Sequence, residues 1–169
     1  MITIRVEAAE DVDAVWRVNE AAFGRAGEAD LVDALRRRGA VILSLVAEQE
    51  GAVVGHILFS PVTISDGDKT VTAVGLGPMA VAPGYQGMGI GSQLVEAGIA
   101  WLREAGHRVV IVLGHPEYYP RFGFVLASRH GIRWENEVPE DVFMALALHP
   151  GGLAGVRGVV RYQPEFGGV

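Results

Sequence analysis

The sequence predicts an α/β fold in which helices pack on the faces of one mixed sheet. Three observations carry this. Strand-like runs and amphipathic helical stretches follow one another in the order β-α-α-β-β-β-α-β-α-β-β. The length, 169 residues, suits one domain with a sizeable core. Half the residues are hydrophobic and 20% are charged, which excludes wholesale disorder. A single domain over residues 1–169 is therefore expected, with a core of about 2–148 and a tail over 150–169.

Residues 3–6 form a short strand. From Asp11 onward, Val12, Val15, Trp16, Asn19, Ala22 and Phe23 follow helical spacing until Gly24 and Gly27 interrupt it. A second helix over 28–38 lines up Leu31, Ala34 and Leu35 and stops at Gly39. Its Arg36-Arg37-Arg38 run is favourable charge at a helix C-terminus. Three strands come next, over 41–48, 52–64 and 70–81, the last two joined by the hairpin signal Ser65-Asp66-Gly67-Asp68. Gly75, Gly77 and Pro78 interrupt the third, where a bulge or a close approach is expected. The next helix places Ile90, Leu94, Gly98, Trp101 and Leu102 on one face and ends at Gly106. Residues 108–113 read as a buried strand and 116–122 as a short helical segment; Gly123-Phe124 opens another strand, and 142–148 is a further one. In the glycine-rich tail only 159–162 looks extended.

Composition narrows the function. Fourteen Lys and Arg against 20 Asp and Glu give a net charge of −6, which argues against nucleic-acid binding. The absence of cysteine removes thiol nucleophiles, disulfides and cysteine-held zinc. His107, His130 and His149 lack metal-ligand spacing, so no metal is expected. The start carries Glu7, Glu10 and Asp11 rather than the apolar core of a signal peptide. Residues 70–95 are uncharged, yet their six glycines and two prolines rule out a membrane span. A soluble, cytoplasmic protein is expected.

Glycine is over-represented, at 23 residues, and six of these fall between Gly75 and Gly91. A strand running through glycines into a helix suits a phosphate, because backbone N–H groups and the helix N-terminus point at the oxygens. Gly84 and Gly89 have Walker A spacing, but Ile90-Gly91 stand where Lys and Ser/Thr are needed. Gly87-Met88-Gly89-Ile90-Gly91 has the wrong last interval for a dinucleotide fingerprint.

The stretch Met79-Ala80-Val81-Ala82-Pro83-Gly84-Tyr85-Gln86-Gly87-Met88-Gly89-Ile90-Gly91 instead resembles the acetyl-CoA loop of the GNAT superfamily of N-acetyltransferases. Gln86, Gly89 and Gly91 match its Arg/Gln-x-x-Gly-x-Gly/Ala signature, and Tyr118-Tyr119-Pro120-Arg121-Phe122-Gly123-Phe124 matches its aromatic segment ending in Gly-Phe. The element order fits over about 2–148; two further stretches, around His56 and His115, resemble a small bacterial branch of largely unassigned substrate.

The resemblance implies a mostly antiparallel twisted sheet with a parallel pair splayed at the acetyl-CoA site and helices on both faces. It implies that backbone N–H groups of Gln86, Gly87, Met88, Gly89, Ile90, Gly91 and Ser92 hold the CoA pyrophosphate. The pantetheine arm would lie along Met79, Ala80 and Val81. Many members carry arginine where this chain has Gln86, so pyrophosphate binding here would rest on backbone dipoles. The resemblance further implies that Tyr119, four residues before Gly123, protonates the leaving thiolate. Phe23 and Glu28 are candidate acceptor contacts; Glu28, His56, His115 and Glu117 were weighed as general base, none of them singled out.

The expected function is acetyl transfer from acetyl-CoA to a primary amine, on a small molecule or on a protein N-terminus or lysine, by direct attack in a ternary complex. The alternatives are a non-catalytic acyl-CoA-binding module and transfer of other acyl chains. An edge strand able to pair in a homodimer is a further implication of the family.

Overall fold

A computed structural model describes residues 1–169 and holds nine strands and three helices. The strand order is β1-β2-β3-β4-β5-β8-β6, with β9 on β3 and β7 on β9. The chain forms two compact units. Met1–Ser60, Gly77–Gly98 and Pro164–Val169 make the first, and Pro61–Leu76 with Ile99–Gln163 make the second.

In the first unit, β1 (Ile2–Val6) pairs antiparallel with β2 (Leu43–Gln49). β2 in turn pairs antiparallel with the first half of β3 (Ala52–Asp66). Side chains alternate across a strand, and β3 uses both faces. Leu58 joins Val46 under α1 (Val12–Phe23) and α2 (Gly27–Arg37), in a cluster with Val15, Leu31, Val32 and Leu35. The intervening Gly55 and Phe59 face α3 (Ile90–Glu104): Gly55 leaves room for Ile90 and Leu94, and Gly98 leaves room for the Phe59 ring. Helices thus cover both faces, as the family resemblance implies. The Asp11 carboxylate accepts from Arg5 and from the backbone N–H of Ala8, fastening the entry to α1. The turn Pro164–Gly168 packs beside α2, with Phe166 against the cluster and Glu165 paired to Arg38.

In the second unit, β4 (Lys69–Val81) and β5 (Val109–Leu113) are the expected parallel pair. Their register spans only Val74↔Val110, Gly75↔Ile111 and Leu76↔Val112. Beyond Leu76 the strand bends at Gly77, whose φ is +134°. β8 (Phe143–Ala147) pairs antiparallel with β5 and with the two-residue β6 (Val125–Leu126). β9 (Gly158–Arg161) lies antiparallel on Thr63, Ile64 and Ser65 of β3, and β7 (Ile132–Trp134) runs parallel to β9. Val62, Ile64, Ile111, Ala145 and Val160 are among its core residues.

Three expectations change. Residues 116–122 contain only the 3-10 turn Tyr119–Phe122, because Pro120 lacks a donor and Gly123 ends the turn in the left-handed region. Trp101 is 41% exposed rather than on the buried face. At roughly 100° per residue, the buried stripe is centred on Gly98, Val95 and Leu102, and Trp101 falls at its edge. The extended segment of the tail is a true strand, and its partner β7 is one that three residues are too few to reveal. No helix is long and apolar enough to cross a membrane.

Candidate functional site

The first unit carries the glycine turn. β4 ends at Val81, and the Ala82 N–H donates to Val54 O at 2.8 Å, so the strand end stays tied to β3. A 3-10 turn, Pro83–Tyr85, leads to Gln86, which is extended. The Gln86 Nε2 donates back to Val81 O at 3.0 Å and closes the turn on itself. Gly87 (φ +77°) and Gly89 (φ +81°) then take left-handed conformations with open space where a side chain would stand. Only glycine adopts that region without strain, so these two fix the path into α3. The first backbone bond of α3 runs from Gln93 N to Gly89 O at 3.1 Å. The amides that precede it lie at the positive end of the helix. Met88 is 65% exposed, whereas Ile90 is buried and anchors the helix start.

Met79 is half-buried and Ala80 buried on the last stretch of β4, in the same unit as the turn. Phe23 and Glu28 belong to this unit too. Phe23 is the last residue of α1 and 39% exposed. Glu28 lies in the first turn of α2, where the Arg25 guanidinium grips it from Nε at 2.9 Å and Nη2 at 2.5 Å. That contact holds the carboxyl below its ordinary range, so it is a fixed anion rather than a base awaiting a proton.

His56 is fully buried on β3. Asn19 Nδ2 donates to Val15 O at 3.0 Å and to His56 Nδ1 at 3.1 Å. The ring proton therefore sits on Nε2, which donates to Ser44 Oγ at 2.9 Å. Burial, and secondarily the Arg36 charge, pushes the imidazole down to about 3. With both nitrogens engaged, it ties α1 to β2 and β3.

Tyr119 belongs to the second unit. Its turn follows β5, with the Tyr118 and Tyr119 N–H groups donating to His115 O. Gly114 admits the Tyr119 ring so closely that any Cβ there would collide with it. Tyr118 and Phe124 pack edge-on at 5.1 and 5.6 Å between ring centroids. Burial, with a smaller contribution from Tyr118, pushes the phenol up to about 12, so it carries its proton at any working pH. His115 and Glu117 are exposed on the same segment. No three His, Cys, Asp or Glu residues lie close enough to hold a metal ion.

Two features escaped the sequence. Arg25 claims Glu28 from three residues away, a spacing that reads equally well as two solvated charges. Tyr162, in the tail, rests on Gly75 of β4: a Cβ there would lie 2.9 Å from its ring. The glycine in the strand was the available signal, but nothing local says which ring approaches it.

A family model described as an acetyltransferase (GNAT) domain matches residues 3–127. The chain is 39% identical over 164 residues to the uncharacterized N-acetyltransferase YhbS of Escherichia coli K12, covering 96% of this chain and 97% of that protein. The crystal structure of YhbS in complex with CoA superposes with a TM-score of 0.92 at 38% identity, covering 98% of this chain and 92% of that one. A GNAT family acetyltransferase from Brucella melitensis, solved with acetyl-CoA, gives a TM-score of 0.82 at 40% identity over 98% of both chains.

Proposed function

We propose, from the premise that the chain belongs to the GNAT family of acetyltransferases, that it moves the acetyl group of acetyl-CoA onto a primary amine by direct attack. The amine belongs to a small molecule, or to a protein N-terminus or lysine. The observation that carries this reading is the glycine turn between β4 and α3, in a chain about two-fifths identical to proteins solved with CoA and with acetyl-CoA.

In this reading the amides of Gln86, Gly87, Met88, Gly89, Ile90, Gly91 and Ser92 surround the pyrophosphate. No charged side chain lies between residues 70 and 95, so aligned backbone dipoles supply the attraction. Met79, Ala80 and Val81 offer main-chain groups to the pantetheine arm. The amine attacks the thioester carbonyl directly, since a chain without cysteine has no thiol to form an acyl intermediate. Tyr119 gives its proton to the departing thiolate. Phe23 and the Glu28 carboxylate contact the acceptor, the anion suiting a positively charged part of it. His56 does not take the proton from the amine, because both ring nitrogens are engaged and it is sealed from solvent; that proton leaves through water.

Thiol release from acetyl-CoA is the test, measured against diamines, amino acids, aminoglycosides and peptides with free N-termini or lysines. Turnover with one class supports the enzyme and names the acceptor. Tight acetyl-CoA binding with no turnover across the panel would replace it with a non-catalytic acyl-CoA-binding module.

A further inference from the structure

The C-terminal segment is held firmly. β9 is bonded on one side to Thr63, Ile64 and Ser65 and on the other to β7. Just after it, Gln163 Nε2 donates to Pro61 O at 2.8 Å. Tyr162 stands between these two fixtures. Its ring lies on Gly75 and meets the Trp134 ring edge-on at 6.2 Å between centroids. The Tyr119 ring lies on Gly114 in the same manner. Gly75 pairs with Ile111, three residues before Gly114, in the parallel register of β4 and β5. Two tyrosines thus rest over glycines carried by neighbouring parallel strands. Burial raises both phenols, and ionisation of Tyr119 raises Tyr162 further, so each oxygen senses the other's charge. Tyr162 lies beyond residues 3–127, the part of the chain that the family model matches.

We propose that Tyr162 is a positioning residue for the reaction, whose phenol donates a hydrogen bond to the Tyr119 oxygen as that oxygen gives up its proton. The proposal rests on Tyr119 as proton donor. As the tetrahedral adduct collapses, the C–S electron pair goes to sulfur and the Tyr119 O–H proton follows it, leaving a phenolate. The amine nitrogen sheds one proton, which restores the phenol through solvent. A phenolate among buried aromatic rings is costly without a donor. A neutral phenol that does not ionise at working pH is a dependable donor.

Tyr162→Phe keeps the ring on Gly75 and removes only the hydroxyl. In the full-length protein, kcat is expected to fall about tenfold or more, the gain typical of a hydrogen bond to a charged group. KM for acetyl-CoA should stay within twofold and Tm should stay near the parent's. Because Tyr162 acts through Tyr119, the Tyr119→Phe/Tyr162→Phe double variant should be no slower than Tyr119→Phe alone. Gly75→Ala, which pushes the ring aside, should reproduce the kcat loss. A Tyr162→Phe protein with parental kcat, or losses that multiply in the double variant, would overturn the proposal. Full turnover in Tyr119→Phe would instead remove the donor itself, a different failure read from a different variant.

Discussion

Tyr119 and His56 are both buried, yet burial equips them for opposite tasks. For a phenol, the low dielectric secures the proton that a leaving thiolate needs. Tyr119→Phe should therefore lower kcat by about a hundredfold or more while the Kd for acetyl-CoA stays within twofold. Unchanged turnover sinks the assignment. For the imidazole, the same environment forbids the charged form. An exposed histidine titrates near 6.5, whereas His56 does so at about 3. Between those values the unfolded chain binds the extra proton and the folded one does not. Its contribution is thus complete above pH 6.5 and is lost as pH falls toward 3, by up to about 1.4 kcal/mol per pH unit. Chemical denaturation of the parent and His56→Gln at several pH values checks this: the parent's stability should fall more steeply over that window, and parallel curves would refute it.

At the level of elements, the turn between β4 and α3 shows how a phosphate-suited shape arises without a cation. Gln86 spends its amide on Val81 O, and the left-handed Gly87 and Gly89 set the path into the helix. Attraction by backbone dipoles involves no ion pair for salt to compete with, so CoA affinity should depend weakly on ionic strength. Gln86→Arg supplies the missing charge and should bind more tightly at low salt, with a steeper loss of affinity as salt is raised. Isothermal titration of both proteins at several salt concentrations decides it; a parent equally or more salt-sensitive counts against a dipole-based site.

Across the molecule, the tail serves each unit separately. In the first, Phe166 extends the apolar cluster under α2, and Glu165 pairs with Arg38. Deleting residues 164–169 exposes that surface and should cost about 1–2 kcal/mol, or roughly 3–8 °C in Tm. Little of this comes from the exposed ion pair, so Glu165→Gln should leave Tm nearly unchanged while Phe166→Ala reproduces most of the loss. Thermal melts of the three variants separate the contributions. These contacts also mark how far the sequence was legible. α1, α2, β3 and β5 could be read because periodicity is a local property that burial enforces along each element. The glycine turn could be read because its backbone demands specific residues. Glu28 held by Arg25, Tyr162 on Gly75, and β7 beside β9 could not, since each depends on a partner that only the folded chain supplies. Trp101 was misplaced for a related reason: a helical face is broad at its margin, and the underlying sheet decides where burial stops.

Met88, held outward between two left-handed glycines, gives the turn a chemical reporter. Its side chain is 65% exposed, while Met144 is 1% exposed and Met79 half-buried. Dilute peroxide should convert Met88 to its sulfoxide well ahead of both. A cofactor lying across the turn would shield that sulfur. Oxidation at Met88, followed by peptide mass, should slow as acetyl-CoA is added and so titrate occupancy without any acceptor amine. A rate indifferent to saturating acetyl-CoA would mean that the cofactor leaves this face of the turn uncovered.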